Sequence, residues 1–298
     1  MSEQLVAAIR AGTAVLDLGL ATVRIRSDLP GFWQDFLALY RDYPVAADAD
    51  FADVAVRIER PSGLRRWFRP QAVFGVDAQR PFDPFPADTA LPLFEWGVNW
   101  CLGNLINHHL LIHAGAVEAG GKGVLLAATP GSGKSTLTVA LAESGFRYLS
   151  DEFGALSLDD YQLRALLKPA ALKNKSIPVI RAFAPAARLG RSYPKTRKGE
   201  VAHYVPSLDS IARRREAVPV RLLVFPRYEA GAALQVTEVP PSRAFLRLGF
   251  NSFNYSLLGP AGFRTVSQVV AASRAVELTY SNFPEAIAAI RDLLDQPP

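Results

Sequence analysis

Apolar positions along the chain alternate with period two in some stretches and recur every three to four residues in others, and the two periods predict a mixed α/β protein. Residues 15–18 and 22–26 read as a pair of strands, 31–40 as a helix, and 53–59 (Asp-Val-Ala-Val-Arg-Ile-Glu) as a strand with one buried face. A second strand pair is predicted over 66–68 and 72–76. Pro81, Pro84 and Pro86 then crowd one short segment that can continue neither a helix nor a central strand. This places a boundary between a small α/β unit, residues 1–88, and a larger unit, 89–298.

The larger unit opens with an apolar helical run over 91–109. Two apolar runs follow, on either side of Gly120-Gly121. That dipeptide signals a two-residue hairpin because both central positions can take positive φ. The second run feeds directly into Ala128-Thr129-Pro130-Gly131-Ser132-Gly133-Lys134-Ser135 and a helical stretch beyond it. Gly145 caps that helix, residues 146–150 form the next strand, and Asp151-Glu152 ends it. A hairpin over 154–158 and 162–167, strands over 220–225 and 234–237, and a terminal amphipathic helix over 284–294 complete the reading; there is no internal repeat. A hairpin leading straight into the loop means an antiparallel neighbour, hence a mixed sheet rather than a parallel one.

The octapeptide between strand and helix fits the phosphate-binding loop pattern. Backbone N–H groups of such a loop, from Thr129, Pro130, Gly131, Ser132, Gly133, Lys134, Ser135 and Thr136 less the imide of Pro130, surround a β-phosphate. The helix N-terminus adds positive potential, Lys134 reaches the β/γ oxygens and the Ser135 hydroxyl ligates Mg²⁺. The expected cofactors are therefore ATP, or another nucleoside triphosphate, and Mg²⁺. Asp151 and Glu152 follow Lys134 by one helix and one strand and should emerge at the same sheet edge. There one carboxylate can accept an acceptor proton while the other supports the metal, or both can support it. His113 lies on the strand before the hairpin, either as a core histidine or as an acid, base or phosphate ligand.

Composition adds limits. Apolar residues make up 49% and charged residues 20%, as in globular proteins, and no apolar run reaches membrane-spanning length. The polar start lacks a signal-peptide core and Cys101 is the only cysteine, so the expected setting is the cytoplasm and the expected role of Cys101 is a buried thiol. Charge is uneven. Between Arg164 and Arg227 there are fifteen basic residues against three acidic ones, although the whole chain nets only +5. Such a segment is either a solvated loop region or a surface for an anionic partner. No nucleic-acid-binding signature accompanies it, so nucleic acid is not the expected partner. Lys173 and Lys198 within it are the expected substrate or phosphate contacts, on a loop that either stays open or folds over the site.

His113-Ala114-Gly115, the hairpin, the phosphate loop and Gly145-Phe146-Arg147-Tyr148-Leu149-Ser150-Asp151-Glu152 together resemble the kinase domain of bacterial HPr kinase/phosphorylase, and most of all its smaller kinase-related members. The resemblance covers about fifty residues, His113 to Leu158, with weaker similarity at residues 172–176 and 225–228. It implies a mixed-sheet P-loop kinase domain of the HPr kinase/phosphoenolpyruvate carboxykinase type, preceded here by the small N-terminal α/β domain. It also implies phosphorylation of a serine hydroxyl, and the expected substrate is a protein or peptide; a homo-oligomer is a separate expectation that the sequence leaves open. By position Asp151 matches the catalytic aspartate, His113 the active-site histidine and Ser135 the Mg²⁺-binding residue. Ala128 stands where the loop's first glycine is usual, and Glu152 where a second aspartate is. A small-molecule kinase, or a nucleotide-gated ATPase without acceptor, would use the same residues.

Overall fold

In the computed structural model, residues 2–46, 50–61, 70–129 and 131–296 are described. The strand expected at 66–68 and the loop residue Pro130 lie outside them.

The first unit runs α1 (Ser2–Ala11), β1 (Val15–Asp17), β2 (Thr22–Ser27), α2 (Phe32–Tyr40), β3 (Val45–Ala46), β4 (Val54–Glu59), β5 (Gln71–Val76) and β6 (Phe85–Pro86). Its sheet has the order β3-β1-β2-β4-β5-β6, antiparallel except for the β2/β4 pair. Helix α3 (Ala90–Leu105) packs on β4 and β5. There Gly97 lies so close to the Phe74 ring that a Cβ would overlap it. Phe32, Phe36, Tyr40 and Phe94 stack edge and face in the space between α2 and α3.

Helix α3 stops at Leu105, four residues short of its predicted end. Asn104 and Asn107 turn their side-chain amides onto the carbonyls of Trp100 and Asn104, competing with helical bonding, and Ile106 is extended. His109 therefore belongs to β7 (His109–Ala119), which turns at Gly120-Gly121 (φ 57° and 75°) into β8 (Lys122–Ala127). Helix α4 (Lys134–Glu143) follows, and Gly145 (φ 91°) ends it. Phe146 N–H reaches the Leu141 carbonyl and Gly145 N–H the Ala142 carbonyl, the paired bonds of a Schellman motif.

Beyond α4 come β9 (Arg147–Ser150), β10 (Phe153–Ser157), β11 (Leu163–Arg164), β12 (Ala170–Lys173), α5 (Ser176–Phe183), β13 (Tyr193–Thr196), β14 (Gly199–Tyr204) and α6 (Leu208–Ala212). The chain then runs through β15 (Val220–Tyr228), β16 (Gln235–Glu238), α7 (Pro241–Phe250), α8 (Tyr255–Leu258), α9 (Pro260–Ala271), β17 (Arg274–Tyr280) and α10 (Phe283–Asp295). The large sheet has the order β11-β10-β7-β8-β15-β17-β16, with β9 also on β7. Only β8/β15 and β15/β17 are parallel, so the sheet is mixed, as the hairpin predicts. Both faces are buried, which explains the unbroken apolar runs. Leu111, Val124, Leu126 and Val224 face the core shared with α4, α10 and the first unit. Leu110, Ile112, Leu125 and Leu223 face α7 and α9.

Residues 170–204, read from sequence as an open or folding loop, contain a small antiparallel sheet, β12-β14-β13. Five of the basic segment's arginines make ion pairs with the first unit. Arg188 pairs with Asp42, Arg191 with Asp35, Arg197 with Asp83, and Arg214 and Arg215 with the buried Asp17. The acidic partners all come from residues 1–88. Beneath them Lys168 and Glu95 make a buried pair at 2.9 Å, completed by Asn99 and the Tyr40 hydroxyl. Among the described residues no helix is long and apolar enough to cross a membrane.

Two expectations follow. A Cβ on Gly115 would overlap Thr138 Oγ1 on α4. Gly115→Ala should therefore cost about 1–3 kcal/mol in denaturant unfolding, and adding Thr138→Ala should recover part of it; equal stability of Gly115→Ala and wild type would contradict this packing. His203, on β14, is fully buried with neither ring nitrogen hydrogen-bonded, and burial lowers it to about 4. The folded state binds its proton less readily than the unfolded chain. Its contribution is thus intact above about pH 6.5 and lost as pH falls toward 4, by up to about 3 kcal/mol. The melting temperature of His203→Leu should fall less than that of wild type between pH 7 and 5, and an identical pH dependence would count against it.

Candidate active site

The phosphate-loop segment leaves β8 at Ala127, paired with Ala114, and enters α4 at Lys134. Gly131 and Gly133 take φ of 88° and 89°, a region that a side chain would strain. The two glycines have different surroundings. A Cβ on Gly133 would press on the Tyr280 hydroxyl at 2.8 Å and Tyr228 Cβ at 3.0 Å, whereas nothing lies within 4 Å of one on Gly131. Tyr228 N–H binds the Ser132 carbonyl at 3.0 Å, so β15 and β17 brace the loop from behind and leave its tip open. Ser132 Oγ is buried without a hydrogen-bond partner.

Asp151 and Glu152 do not end a strand, as the sequence suggests; they interrupt one. Strands β9 and β10 both run antiparallel along the same edge of β7, with Ser150 opposite Ala116 and Phe153 opposite His113. The two carboxylates fall in the gap, opposite Gly115 and Ala114, at the level where β8 ends and the loop begins. Phe153 N–H bonds to Ser150 Oγ across the interruption.

This register sets the electrostatics. Lys134 is 7% exposed and donates to the Asp151 carbonyl oxygen at 3.2 Å. Burial lowers its pKa, while the Asp151 and Glu152 charges oppose the shift. Asp151 is 6% exposed, and its Oδ1 is buried without a partner. Burial raises its pKa above the usual carboxylate value despite Lys134, with Glu152 adding to the rise and the Ser135 hydroxyl opposing it. Glu152 points elsewhere, its Oε1 lying 3.6 Å from His113 Nε2. Burial first and the Lys134 charge second lower the His113 pKa, with Glu152 pulling the other way. Its ring packs edge-on against Phe253, 5.8 Å between centroids.

Thr136, on the first turn of α4, donates to Ser176 Oγ at 2.8 Å and so ties the loop to the segment carrying Lys173. Lys173 ends β12, and Lys198 sits in the β13–β14 turn, its ammonium 5.0 Å from the centre of the Trp96 ring. Both act electrostatically on His113, and Lys173 also on Asp151 and Lys134.

The structure thus gathers Lys134, Ser135, Asp151, Glu152, His113, Lys173 and Lys198 around one loop; Thr129, Gly131, Ser132, Gly133 and Thr136 form the loop and its exit. Cys101 is fully buried on α3, and burial pushes its thiol up to about 12. Sequence reasoning missed Tyr228, Tyr280, Trp96 and Asn174. The first two act from strands remote in sequence. Asn174 had a visible signal in Lys-Asn-Lys-Ser, since asparagine tolerates the left-handed conformation it adopts here (φ 50°).

No protein-family model matches the chain, and no curated protein matches it. Among solved structures it is similar to the HPr(Ser) kinase/phosphatase of Coxiella burnetii, at 12% identity and a TM-score of 0.27, over 61% of this chain and 94% of that one. At that level of superposition no activity passes from one protein to the other.

Proposed function

We propose that the protein is an ATP- and Mg²⁺-dependent kinase that transfers the γ-phosphate to a hydroxyl, with a serine of a protein or peptide as the acceptor. The observation that carries this reading is the buried Asp151 carboxylate with a free Oδ1, next to Lys134 and Ser135 at the mouth of a glycine loop. A carboxylate is costly to bury unpaired, and such groups concentrate where charge or a proton is handled. The residues fit the nucleotide. The loop's open tip at Gly131 leaves room for a phosphate against the backbone, and Ser132 Oγ and Asp151 Oδ1 both lack partners.

Lys134 and the loop amides hold the β/γ-phosphates, and Ser135 with Glu152 supplies oxygen ligands for Mg²⁺. Bound Mg²⁺ neutralises charge on the phosphates. Asp151 accepts the acceptor hydroxyl proton, a task that its raised pKa suits. His113, beside Glu152, orients that carboxylate. The sequence resemblance to HPr kinase-type enzymes supports the same assignment, and a setting in the cytoplasm agrees with the lone buried cysteine.

A second reading has its own observation: Asp151, not Glu152, stands beside Ser135. Asp151 would then support the metal, and Glu152, next to His113, would face the acceptor.

Two variants separate these readings, assayed with γ-labelled ATP on a lysate of the source cells and by calorimetry with AMP-PNP and Mg²⁺. On the first, Asp151→Asn binds the nucleotide normally and labels about 10²- to 10⁴-fold more slowly, the usual cost of losing a general base. On the second, Asp151→Asn loses the Mg²⁺ dependence of binding, and Glu152→Gln is the variant that binds but does not label. Lys134→Ala should abolish binding on both. Undiminished labelling by Asp151→Asn and Glu152→Gln alike would overturn the kinase assignment.

A further inference from the structure

We propose that Lys173 and Lys198 form a second anion subsite beside the phosphate loop, which takes a carboxylate or phosphate carried by the acceptor next to its reacting hydroxyl. The proposal rests on the kinase reading and narrows its substrate class.

The first support is what the two lysines do not do. In a segment five of whose arginines are paired with Asp17, Asp35, Asp42 and Asp83, no ion pair is made by Lys173 or Lys198 among the described residues. The Lys198 carbonyl accepts from the side chain of Asn174, the residue after Lys173, at 3.4 Å, and the Lys173 charge helps to hold the Lys198 ammonium below its ordinary range, after partial burial and against Glu152. With only Glu152 opposing them, two ammonium groups whose charges repel each other leave a net positive site that an anion can occupy.

The second support is that their placement is built. Asn174, in a left-handed conformation, accepts from Glu200 N–H at 3.0 Å and donates to the Lys198 carbonyl at 3.4 Å. Gly199 lies so close to the Asn174 amide that any Cβ would collide with it. Asn174 therefore clamps the β13–β14 turn to the end of β12, immediately beside Lys173. On its far side the turn leans on α3 and the first unit, Lys198 over Trp96 and Arg197 over Phe85 at 4.6 Å. On its near side Ser176 connects to Thr136 of α4. A solvated loop needs none of these contacts.

The third support is the division of labour. Lys134 and the loop amides already serve the triphosphate, and the lysine pair comes from a different sheet. Its charges reach His113, and that of Lys173 reaches Asp151, the proposed base, as well as Lys134. An acidic stretch of polypeptide around a serine and a small hydroxy acid or sugar phosphate share this chemistry.

The test saturates the nucleotide site with AMP-PNP and Mg²⁺ and titrates inorganic phosphate, in wild type, Lys173→Met, Lys198→Met and the charge-preserving Lys173→Arg and Lys198→Arg. Each Met variant should weaken phosphate binding about tenfold, as expected for one charged hydrogen bond, and the Arg variants should retain most of it. AMP-PNP affinity should change by less than about twofold throughout. Displacement of phosphate by an Asp-flanked serine peptide, and not by its Lys-flanked counterpart, assigns the anion to a polypeptide; displacement by glycerol phosphate alone assigns it to a small acceptor. AMP-PNP binding without phosphate binding overturns the subsite and leaves the kinase reading intact. Parallel loss of AMP-PNP and phosphate in the Met variants also overturns it, because the lysines then belong to the nucleotide. Displacement by none of these probes overturns it as well, and failure of wild type to bind AMP-PNP removes the kinase reading and the subsite together.

Discussion

The break between β9 and β10 is the constraint on which the site depends. Paired continuously with β7, the two strands would direct Asp151 and Glu152 to opposite faces of a buried sheet. The interruption frees both carboxylates opposite Ala114 and Gly115, where β7 is bare of side chains large enough to fill the space. Gly115 also lets Thr138 approach, so α4 seats against β7 and its first residue, Lys134, comes to the Asp151 carbonyl. One small residue thus sets both the depth of the helix and the reach of the ammonium to the Asp151 carbonyl. The cost is a buried carboxylate oxygen without a partner, a local instability of the kind that functional sites retain.

The first unit shapes the site without lining the loop. Its aspartates take up five arginines of the basic segment, and its Phe85, with Trp96 of α3, supports the turn that bears Lys198. A third of the basic segment's charge is therefore taken up by the first unit, and Lys173 and Lys198 remain without an ion pair near the phosphate loop. Lys168 and Glu95 anchor the same contact from below, on a narrow cleft lined also by Asp151 and Glu152. A buried ion pair of this kind adds little net stability but is costly to break, which favours one fixed arrangement of the parts.

Much of this was legible locally. The Gly120-Gly121 hairpin, the loop between strand and helix, the Gly145 cap and the terminal helix each rest on residues within a few positions of one another. The mixed sheet followed from the hairpin alone. What the sequence concealed depends on long-range pairing. Asp151-Glu152 read as a strand end because the continuation of the register into β10 is visible only with β7 in place. The small sheet β12-β14-β13 was hidden by Gly190, Pro194 and Gly199, which look like loop punctuation until Asn174 is seen to hold Gly199. The end of helix α3 was concealed because Asn104 and Asn107, which turn their amides onto backbone carbonyls there, do not by themselves mark a stop. The helices α7 to α9 carry exposed Phe250 and Leu257 beside their buried face, which blurs the pattern that would have marked them.

The most direct measurement is a crystal structure with AMP-PNP and Mg²⁺. It should show Lys134 Nζ released from the Asp151 carbonyl and bonded to β/γ-phosphate oxygens, the loop amides around the β-phosphate, and the Asp151 carboxylate still in the gap between β9 and β10, facing the γ-phosphate. A nucleotide bound elsewhere, or Lys134 remaining on Asp151 with the loop empty of phosphate, would contradict it.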